Sequence, residues 1–395
     1  MSGRELVAGP RDGGRCWRPI YLDHHATTPA DPRVVEVVVH AMTEAFGNAN
    51  SVEHVFGEVA GQLVAAAQEE VAALVGAVPE DVRFTAGSSE GIRIALAHAI
   101  ATRRSQYPLR VALSRVEHRA LLEAVAAAVQ AGSVEPVWIA VDRQARINMT
   151  ALANELSKGI DLVCLMAANN EVGTIYPIKQ VAALAQRHGA AVLVDATQAA
   201  GRLPLRSYEW QLDYLMFSAH KIYGPKGVGA LVAPSLNQEA AVPGLYCGSE
   251  GTPNVPGISG MGEACRLRRI EMEVDETRIS ILREKLEAAL VNSVPGLVVN
   301  GAPEARLGHN LHISAPGVPN DAVLARLRRK VAISTGAACS SGAQSPSHVL
   351  AAMNMPEDLK EGALRIGLGK FNTEEEIDTA AKDISEAIID VRNRL

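Results

Sequence analysis

Short, fully apolar segments alternate with amphipathic helical segments between about residues 33 and 233, and this alternation limits the possible folds more than any other feature. The apolar segments are VRFTAG, RVALS, VEPVWIAV, LVCLMAA, AVLVDA, YLMFSA and VGALVA. Strands that are apolar on both faces are typical of largely parallel sheets that are covered by helices on each side. We therefore predict an α/β fold with a mostly parallel central sheet.

The helical segments between these strands carry apolar stripes at helical spacing. In EVAGQLVAAAQEEVAALVG the stripe consists of Val59, Leu63, Ala67, Val71 and Val75. Gly76 follows the stripe, and glycine is the residue that most easily adopts the left-handed conformation of a helix C-cap. This segment is predicted to be one long helix that packs on the sheet.

The character of the chain changes after Gly262. A long, charged helical stretch, ACRLRRIEMEVDETRISILREKLEAALVNSV, could bridge to a second unit. The last helix begins with a capping box of Thr373 and Glu376. Its predicted apolar stripe consists of Ile377, Ala381, Ile384, Ile388 and Val391. We predict a flexible N-terminal extension over 1–19, a large domain over 20–265 and a smaller α+β domain over 266–395.

Composition and charge exclude several classes of protein. A chain of 395 residues with 48% apolar residues can form two domains with substantial cores. The net charge of -6 provides no basic surface for direct contact with nucleic acid or anionic lipid. No apolar run approaches the roughly 18 residues of a membrane span, and the N-terminus lacks the apolar region of a secretory signal. Five scattered cysteines without a CxxC pair favour a reducing cytoplasm over a disulfide framework.

Polar residues directly follow several of the predicted strands, where ligands of doubly wound sheets bind. Asp195 follows AVLV, so its carboxylate is expected to be partly buried. One interpretation is a helix N-cap; the other is a counter-charge for a cationic heterocycle, with Gln198 as a further donor to the same ligand.

Lys221 lies close to the end of another apolar strand. It could be a surface lysine whose stem packs on the fold, or a Schiff-base former beside Ser218 and His220. Ser88 and Ser89 lie where a strand gives way to a helix, a position that suits phosphate, although many loops are rich in serine. A GxGxxG fingerprint is absent after the first strand, which argues against a dinucleotide.

Cys339 lies in ISTGAACSSGAQSPSHVL, a nearly uncharged stretch that is predicted to be a loop. An unpaired cysteine is more often a small core residue, which suits Cys164 but not Cys339. A free thiol has a pKa of about 8.5, and this loop supplies no cationic side chain before His348. The surrounding residues therefore give no reason for the Cys339 thiol to be ionised at rest.

These motifs together resemble the pyridoxal-phosphate-dependent cysteine desulfurases of the NifS/IscS type, within the class V aminotransferases. The resemblance runs from about Tyr21 to the C-terminus. Its carriers are YLDHHATTPADPRV, FGNANSVEH, VEHRALL, NNEVGTI, VDATQAAGRLPL, SAHKIYGPKGVGAL, STGAACSSG and LRIGLGKFNTEEEID. The resemblance implies the type I fold of aminotransferase-like enzymes that bind this cofactor.

The resemblance also implies roles for individual residues. Lys221 would hold pyridoxal 5'-phosphate covalently, Asp195 would pair with its ring nitrogen and Gln198 with its phenolic oxygen. His118 would stack on the ring and move protons. The phosphate would be bound by Ser88, Ser89, Ser218 and His220, and by Thr252 from the neighbouring subunit of a homodimer. Asn170 and Arg365 would hold the carboxylate of the substrate, and Cys339 would be the nucleophile.

The implied reaction takes sulfur from L-cysteine, leaving L-alanine and a persulfide on Cys339. The sulfur then passes to a protein acceptor, in iron–sulfur assembly, tRNA thiolation or DNA phosphorothioate modification. One departure from the family pattern is GLYCGSEGTPN before and around Thr252, which is about three residues shorter and lacks an arginine. It puts the local dimer contacts in doubt. The alternatives are a selenocysteine lyase or C–S lyase of the same fold, or a non-catalytic sulfur-relay subunit.

Overall fold

The computed structural model describes residues 11–12, 15–16, 19–102, 108–238, 251–335 and 347–395. Most of the predicted N-terminal extension lies outside these ranges. The segments that contain Cys247 and Cys339 lie outside them as well.

The strands are assigned in chain order. They are β1 (Arg11–Asp12), β2 (Arg15–Cys16), β3 (Ile20–Tyr21), β4 (Val82–Thr85), β5 (Leu109–Ser114), β6 (Val134–Ile139), β7 (Leu162–Met166), β8 (Ala191–Asp195), β9 (Tyr214–Ser218), β10 (Gly229–Val232), β11 (Val298–Val299), β12 (Asn310–Ser314), β13 (Val331–Ala332) and β14 (Ala363–Gly367).

The helices are assigned in the same way, with two short 3-10 turns at Pro79–Asp81 and Ala219–Lys221. They are α1 (Pro32–Thr43), α2 (Val55–Val75), α3 (Ser88–Thr102), α4 (Arg119–Gln130), α5 (Met149–Leu156), α6 (Ile178–Arg187), α7 (Ser235–Gln238), α8 (Val255–Ser293), α9 (Asn320–Leu327), α10 (His348–Ala352), α11 (Glu357–Glu361) and α12 (Glu374–Arg392).

Seven strands form the central sheet, in the order β4-β10-β9-β8-β7-β5-β6. They are the seven apolar segments that the sequence predicts to be strands. All neighbouring pairs are parallel except those of β10, which is antiparallel to β4 and β9. The predicted α/β fold with a mostly parallel sheet is therefore confirmed.

Both faces of this sheet are buried under helices. Val192 and Val194 of β8 lie in the same core cluster as residues of α2, α5 and α6. Leu193, between them in sequence, belongs to a second cluster with residues of α3 and α4. Because successive side chains of a strand point to opposite faces, this division explains why the strand is apolar at every position.

A smaller three-stranded sheet, in the order β11-β12-β14, lies in the C-terminal part of the chain. Its core includes Ile377, Ile384 and Ile388 of α12, and the predicted capping box of Thr373 and Glu376 is present at the start of that helix. The helix α8 runs without interruption from Val255 to Ser293. The boundary predicted near residue 265 falls inside this helix, and the division into two domains stays a prediction.

The long helix α2 ends as the sequence predicts, with Gly76 in the left-handed conformation at φ +63°. Ala67, Val71 and Val75 of its stripe are buried, whereas Val59 is exposed. Among the described residues, no helix is both long and apolar enough to cross a membrane.

Candidate active site

One cavity of about 540 Å³ lies beyond the carboxyl ends of the central strands. It brings together ten of the site residues predicted from the sequence, and they come from widely separated segments. They are Ser88, Ser89, His118, Asn170, Asp195, Gln198, Ser218, His220, Lys221 and Arg365. This is the position at which ligands bind to doubly wound sheets.

Lys221 is delivered to the cavity by the 3-10 turn that follows β9. Its Nζ donates a hydrogen bond to the carbonyl oxygen of His25, and another, of 2.9 Å, to that of Ala26. These two contacts hold the amine against the segment that precedes α1. The amine therefore reaches the cavity with its direction fixed by the backbone.

Asp195 is the last residue of β8, and its side chain is buried. Its Oδ1 accepts a hydrogen bond of 3.0 Å from the backbone N–H of Thr197. A buried carboxylate is costly without further donors or a cation, so this position suits a positively charged group of a ligand. Gln198 lies beside it in the cavity wall.

His118 precedes α4 and caps its N-terminus. Its Nδ1 accepts a hydrogen bond of 3.2 Å from Ala120 N, so a neutral ring carries its proton on Nε2. The preceding residue, Glu117, is fully buried, and this burial raises the pKa of its carboxyl group to about 8. Glu117 contacts Ser114 Oγ at 2.7 Å and Met166 N at 2.8 Å.

The N-terminus of α3 forms one wall of the cavity. Ser88 N donates to Ser218 Oγ at 2.8 Å, and Ser218 Oγ donates to Ser88 Oγ at 3.1 Å. His220 lies nearby; its burial, followed by the charges of Lys221 and Lys226, lowers its pKa to about 4. Hydroxyl groups at the N-terminus of a 15-residue helix make a favourable place for an anion.

Arg365 lies in β14 of the smaller sheet and is buried. Its Nη2 contacts Asp23 Oδ1 at 2.9 Å, and its Nη1 donates to the carbonyl oxygen of Asn170 at 3.0 Å. Three buried polar atoms of cavity residues have no hydrogen-bond partner among the described residues: Arg365 Nε, Asn170 Oδ1 and Thr197 Oγ1. Unsatisfied buried groups of this kind point to a polar ligand.

Two of the predicted site residues are not in the lining of this cavity. Thr252 is exposed, next to Gly251, whose carbonyl oxygen accepts a hydrogen bond of 3.0 Å from Asn50. Cys339 lies outside the described residues. The described residues on either side of its segment contact residues in or next to the cavity wall. Ser334 pairs with Arg365 through the backbone, and Ser347 contacts the carboxylate of Glu171, the residue after Asn170.

Several further residues line the cavity without having been predicted from the sequence, among them His25, Thr27 and Thr197. His25 lies within YLDHHATTPADPRV, one of the motifs that carry the resemblance to the family. Two adjacent histidines after an aspartate in that motif were the available signal. Thr27 and Thr197 offered none, because isolated threonines are common in loops.

The chain belongs to the class V aminotransferase family. The model of that family, described as Aminotransferase class-V, matches residues 20–379. Enzymes of this family depend on pyridoxal 5'-phosphate, as the motifs of the sequence imply.

Relatives of known name cover nearly the whole chain. A cysteine desulfurase IscS of Anaeromyxobacter dehalogenans (strain 2CP-C) is 38% identical over 380 residues, which are 95% of this chain and 93% of the relative. A cysteine desulfurase of Frankia sp. (strain EuIK1) is 39% identical over 389 residues, 95% of this chain and 92% of the relative.

Solved structures of similar fold also cover most of the chain. A NifS-like protein superposes with a TM-score of 0.84 at 31% identity, over 93% of this chain and 98% of that one. DndA from Streptomyces lividans superposes with a TM-score of 0.73 at 31% identity, over 87% of this chain and 98% of that one.

The cavity fits pyridoxal 5'-phosphate by the chemistry of its side chains. It holds an amine in Lys221, a buried carboxylate in Asp195 for a cationic ring, and hydroxyl groups at a helix N-terminus for a phosphate. The unpartnered polar atoms of Asn170, Thr197 and Arg365 show that the wall has bonding capacity to offer. When bound, this cofactor supplies an electron sink for negative charge on the substrate.

Proposed function

We propose that this chain is a cysteine desulfurase that converts L-cysteine to L-alanine and transfers the sulfur, by way of Cys339, to an acceptor. The observation that carries the proposal is the convergence of Lys221, Asp195 and Arg365 in one cavity. An amine, a buried carboxylate and a buried guanidinium there match the needs of an amino-acid substrate that reacts on pyridoxal phosphate.

Each end of the cofactor would contact a different group of side chains. Lys221 Nζ would hold its aldehyde carbon, and the Asp195 carboxylate would keep its ring nitrogen protonated. Gln198 would donate to its phenolic oxygen, and His118 would cover the face of its ring. The phosphate would lie against Ser88, Ser89, Ser218 and His220.

On the substrate side, Arg365 and Asn170 would bind the carboxylate group of L-cysteine. A guanidinium can form two parallel hydrogen bonds with a carboxylate, which fixes its orientation as well as its position. Lys221 Nζ would then take the proton from the α-carbon, and His118 would exchange a proton with the sulfur. Both are within the same cavity wall, as such transfers require.

The sulfur transfer needs no external oxidant or reductant, because the enzyme thiol and L-cysteine supply all of its atoms and electrons. The thiolate of Cys339 attacks the sulfur of the substrate, forming an S–S bond while the carbon–sulfur bond breaks. The electron pair stays on the substrate carbon, which takes up a proton and leaves as L-alanine. The cysteine residue is left as a persulfide. In support, the residues that flank the Cys339 segment lie near the site: Ser334 pairs with Arg365, and Ser347 contacts Glu171, which follows Asn170 in sequence.

A homodimer is supported by an exposed apolar patch on α1, the start of α2 and the segment between them. We call this surface the α1–α2 patch; within it the rings of Phe46 and Phe56 lie 5.4 Å apart between centroids, with an interplanar angle of 31°. Its members are Val35, Val39, Met42, Phe46, Val52, Val55, Phe56 and Val59. A group of large, exposed apolar side chains of this kind is typical of a protein interface. Thr252 would act on the phosphate of the partner subunit in such a dimer.

Three finer assignments belong to the same proposal. The acceptor would be a protein, such as an iron–sulfur scaffold or a component of tRNA thiolation or DNA phosphorothioation. The enzyme would act in the cytoplasm, without direct contact with nucleic acid or membrane. Residues 20–265 would form the cofactor-binding domain and residues 266–395 the smaller domain that carries Cys339.

Product analysis tests the proposal. Purified protein with pyridoxal phosphate is expected to show an absorbance band at about 420 nm and to form L-alanine and protein-bound persulfide from L-cysteine. Lys221→Ala should abolish the band and both products. Lys226 is an exposed lysine of the same cavity wall, and the control variant Lys226→Ala should keep the band.

A second variant separates the proposal from its rivals. Cys339→Ser should keep the absorbance band but lose the persulfide and the turnover of cysteine. Full desulfurase turnover in Cys339→Ser would contradict the proposed mechanism. Turnover of selenocysteine alone would indicate a lyase instead.

A further inference from the structure

His25 joins two side-chain amides across the wall of the cavity. Its Nδ1 lies 3.2 Å from Gln198 Oε1, and its Nε2 lies 2.9 Å from Asn310 Nδ2. All three side chains are buried. The chain of contacts therefore runs from β12 of the smaller sheet, through His25, to the cavity residue Gln198.

The hydrogen bonds from Asn310 through His25 to Gln198 each have a fixed direction, because two backbone carbonyl groups show which amide atoms are donors. Asn310 Nδ2 also contacts the carbonyl oxygen of Glu171 at 2.8 Å, and a carbonyl oxygen only accepts. The atom at that position is therefore the amide nitrogen, and it donates to His25 Nε2. A neutral imidazole that accepts at Nε2 carries its proton on Nδ1, which then donates to Gln198 Oε1.

The amide of Gln198 is fixed in the same way. Its Nε2 donates to the carbonyl oxygen of His25 at 3.2 Å, so the nitrogen and oxygen of this amide cannot exchange places. One N–H of Gln198 is used in this contact, and the amide has a second one. The same carbonyl oxygen of His25 accepts from Lys221 Nζ.

The geometry points to His25 as a positioning residue that holds its proton on Nδ1 and thereby orients the Gln198 amide, so that its second N–H is presented to the ring oxygen of the cofactor. This inference rests on the proposed function, because the ring oxygen that Gln198 would contact belongs to pyridoxal phosphate. It assigns to His25 no contact with substrate or cofactor. Through its carbonyl group, His25 would also set the direction of Lys221.

The surroundings of His25 keep the ring neutral, as the inference requires. Burial, followed by the positive charge of Arg365, lowers the pKa of His25 well below its ordinary value; Arg202 and Lys221 add to this effect, and the hydrogen bond to Gln198 opposes it. The ring of His309 lies 4.2 Å away between centroids and carries a similarly lowered pKa, chiefly because of burial. Both rings are thus neutral neighbours at physiological pH.

Two substitutions of His25 distinguish its two nitrogens. The amide nitrogen of an asparagine side chain can take the place of Nδ1, and that of glutamine the place of Nε2. We expect His25→Asn to keep the apparent affinity for pyridoxal phosphate within about twofold and His25→Gln to lower it about tenfold, the effect of one hydrogen bond to a polar ligand group. Equal affinities of the two variants, or the reverse order, would overturn the inference.

The tautomer can also be read directly in the wild-type full chain. In uniformly 13C- and 15N-labelled protein, the ring signals of His25 are assigned by through-bond correlation to its own backbone resonances, so this measurement needs no variant. They are expected to show a protonated Nδ1 and an unprotonated Nε2, with and without bound cofactor. A proton on Nε2, or on both nitrogens, would refute the assignment even if neither variant folds.

The two measurements keep this inference separate from the proposed function. If the protein lacked the absorbance band and formed no alanine from cysteine, the proposed function would fail while the tautomer of His25 could still be as assigned. If the protein showed both but His25 carried its proton on Nε2, only the positioning role would fail.

Discussion

Arg365, a buried residue of the cavity wall, and the half-buried Asp23 form an ion pair with 2.9 Å between Nη2 and Oδ1. The carboxylate of Asp23 satisfies one nitrogen of the guanidinium, and the carbonyl oxygen of Asn170 satisfies another. The Nε of Arg365 has no partner among the described residues. The pair thus holds the guanidinium rigidly while leaving bonding capacity for a carboxylate.

Arg365→Lys should raise the KM for cysteine by about 10- to 100-fold, because an ammonium group cannot reproduce the two-pronged contact of a guanidinium. The rate at saturation should change less. Steady-state kinetics of alanine formation measures both parameters. Arg326→Lys, which alters a surface pair with Asp390, is the matched control and should leave them unchanged. An unaltered KM in Arg365→Lys would show that the carboxylate binds elsewhere.

No side chain larger than that of glycine fits at position 173, so a substitution there should destabilise the protein. The φ of Gly173 is +75°, and an added Cβ would lie 2.5 Å from Asn310 Oδ1. Gly173→Ala should lower the free energy of unfolding by about 2–3 kcal/mol, through backbone strain and displacement of Asn310.

Gly189 is the matched control for Gly173. Its φ is +72°, but an added Cβ would meet nothing within 4 Å. Gly189→Ala should therefore cost only the backbone strain, about 1 kcal/mol. Chemical denaturation measures both variants. Equal losses would mean that crowding against Asn310 contributes nothing.

The buried carboxyl group of Glu117 should make stability depend on pH. Its pKa rises from 4.5 in the unfolded chain to about 8 in the folded protein. The folded state therefore binds the additional proton between these values, so this stabilising contribution is complete below pH 4.5 and is lost as the pH rises through about 8. The slope is at most about 1.4 kcal/mol per pH unit.

Glu117→Gln tests this dependence, because an amide reproduces the shape and hydrogen bonds of a protonated carboxyl group without titrating. The free energy of unfolding of the wild type, minus that of Glu117→Gln, should fall between pH 6.5 and 8. Histidines such as His24, whose pKa is lowered to about 3 mainly by burial, titrate below this window and cancel in the difference. A difference that stays flat would show that Glu117 is ionised throughout.

The α1–α2 patch leads to a prediction about assembly. Phe46→Asp would place a charge within the apolar surface and should shift the protein from dimer to monomer, as measured by light scattering after gel filtration. Val274→Asp changes an exposed valine on α8, outside the patch, and should leave the dimer intact. If the wild-type protein is itself a monomer, the proposed homodimer is wrong.

The sequence predicts the central sheet well because its strands are apolar at every position, as burial on both faces requires. It also predicts the grouping of Asp195 and Lys221, since parallel strands deliver their last residues to one edge. Both conclusions depend on local patterns that neighbouring residues display.

What the sequence could not provide are contacts between distant segments. Arg365 lies in a strand of the smaller sheet, and its neighbours in sequence indicate an exposed residue; in the fold it is buried and pairs with Asp23, 342 positions away. The role of His25 depends likewise on Asn310, 285 positions away. The exposure of Val59 could not be read from its stripe, because helical spacing shows which residues share a face but not where that face leaves the core.

The continuity of α8 has a consequence for unfolding. Ile258, Met261 and Ala264 near its start lie in the core of the central sheet, while Leu286 and Leu290 near its other end lie in the core of the smaller sheet. If either core unfolded, apolar side chains of α8 would be exposed to water. The helix would be destabilised, and with it the packing of the other core. The two cores should therefore melt in one cooperative transition, so that a lesion in the C-terminal sheet lowers the melting temperature of the whole molecule.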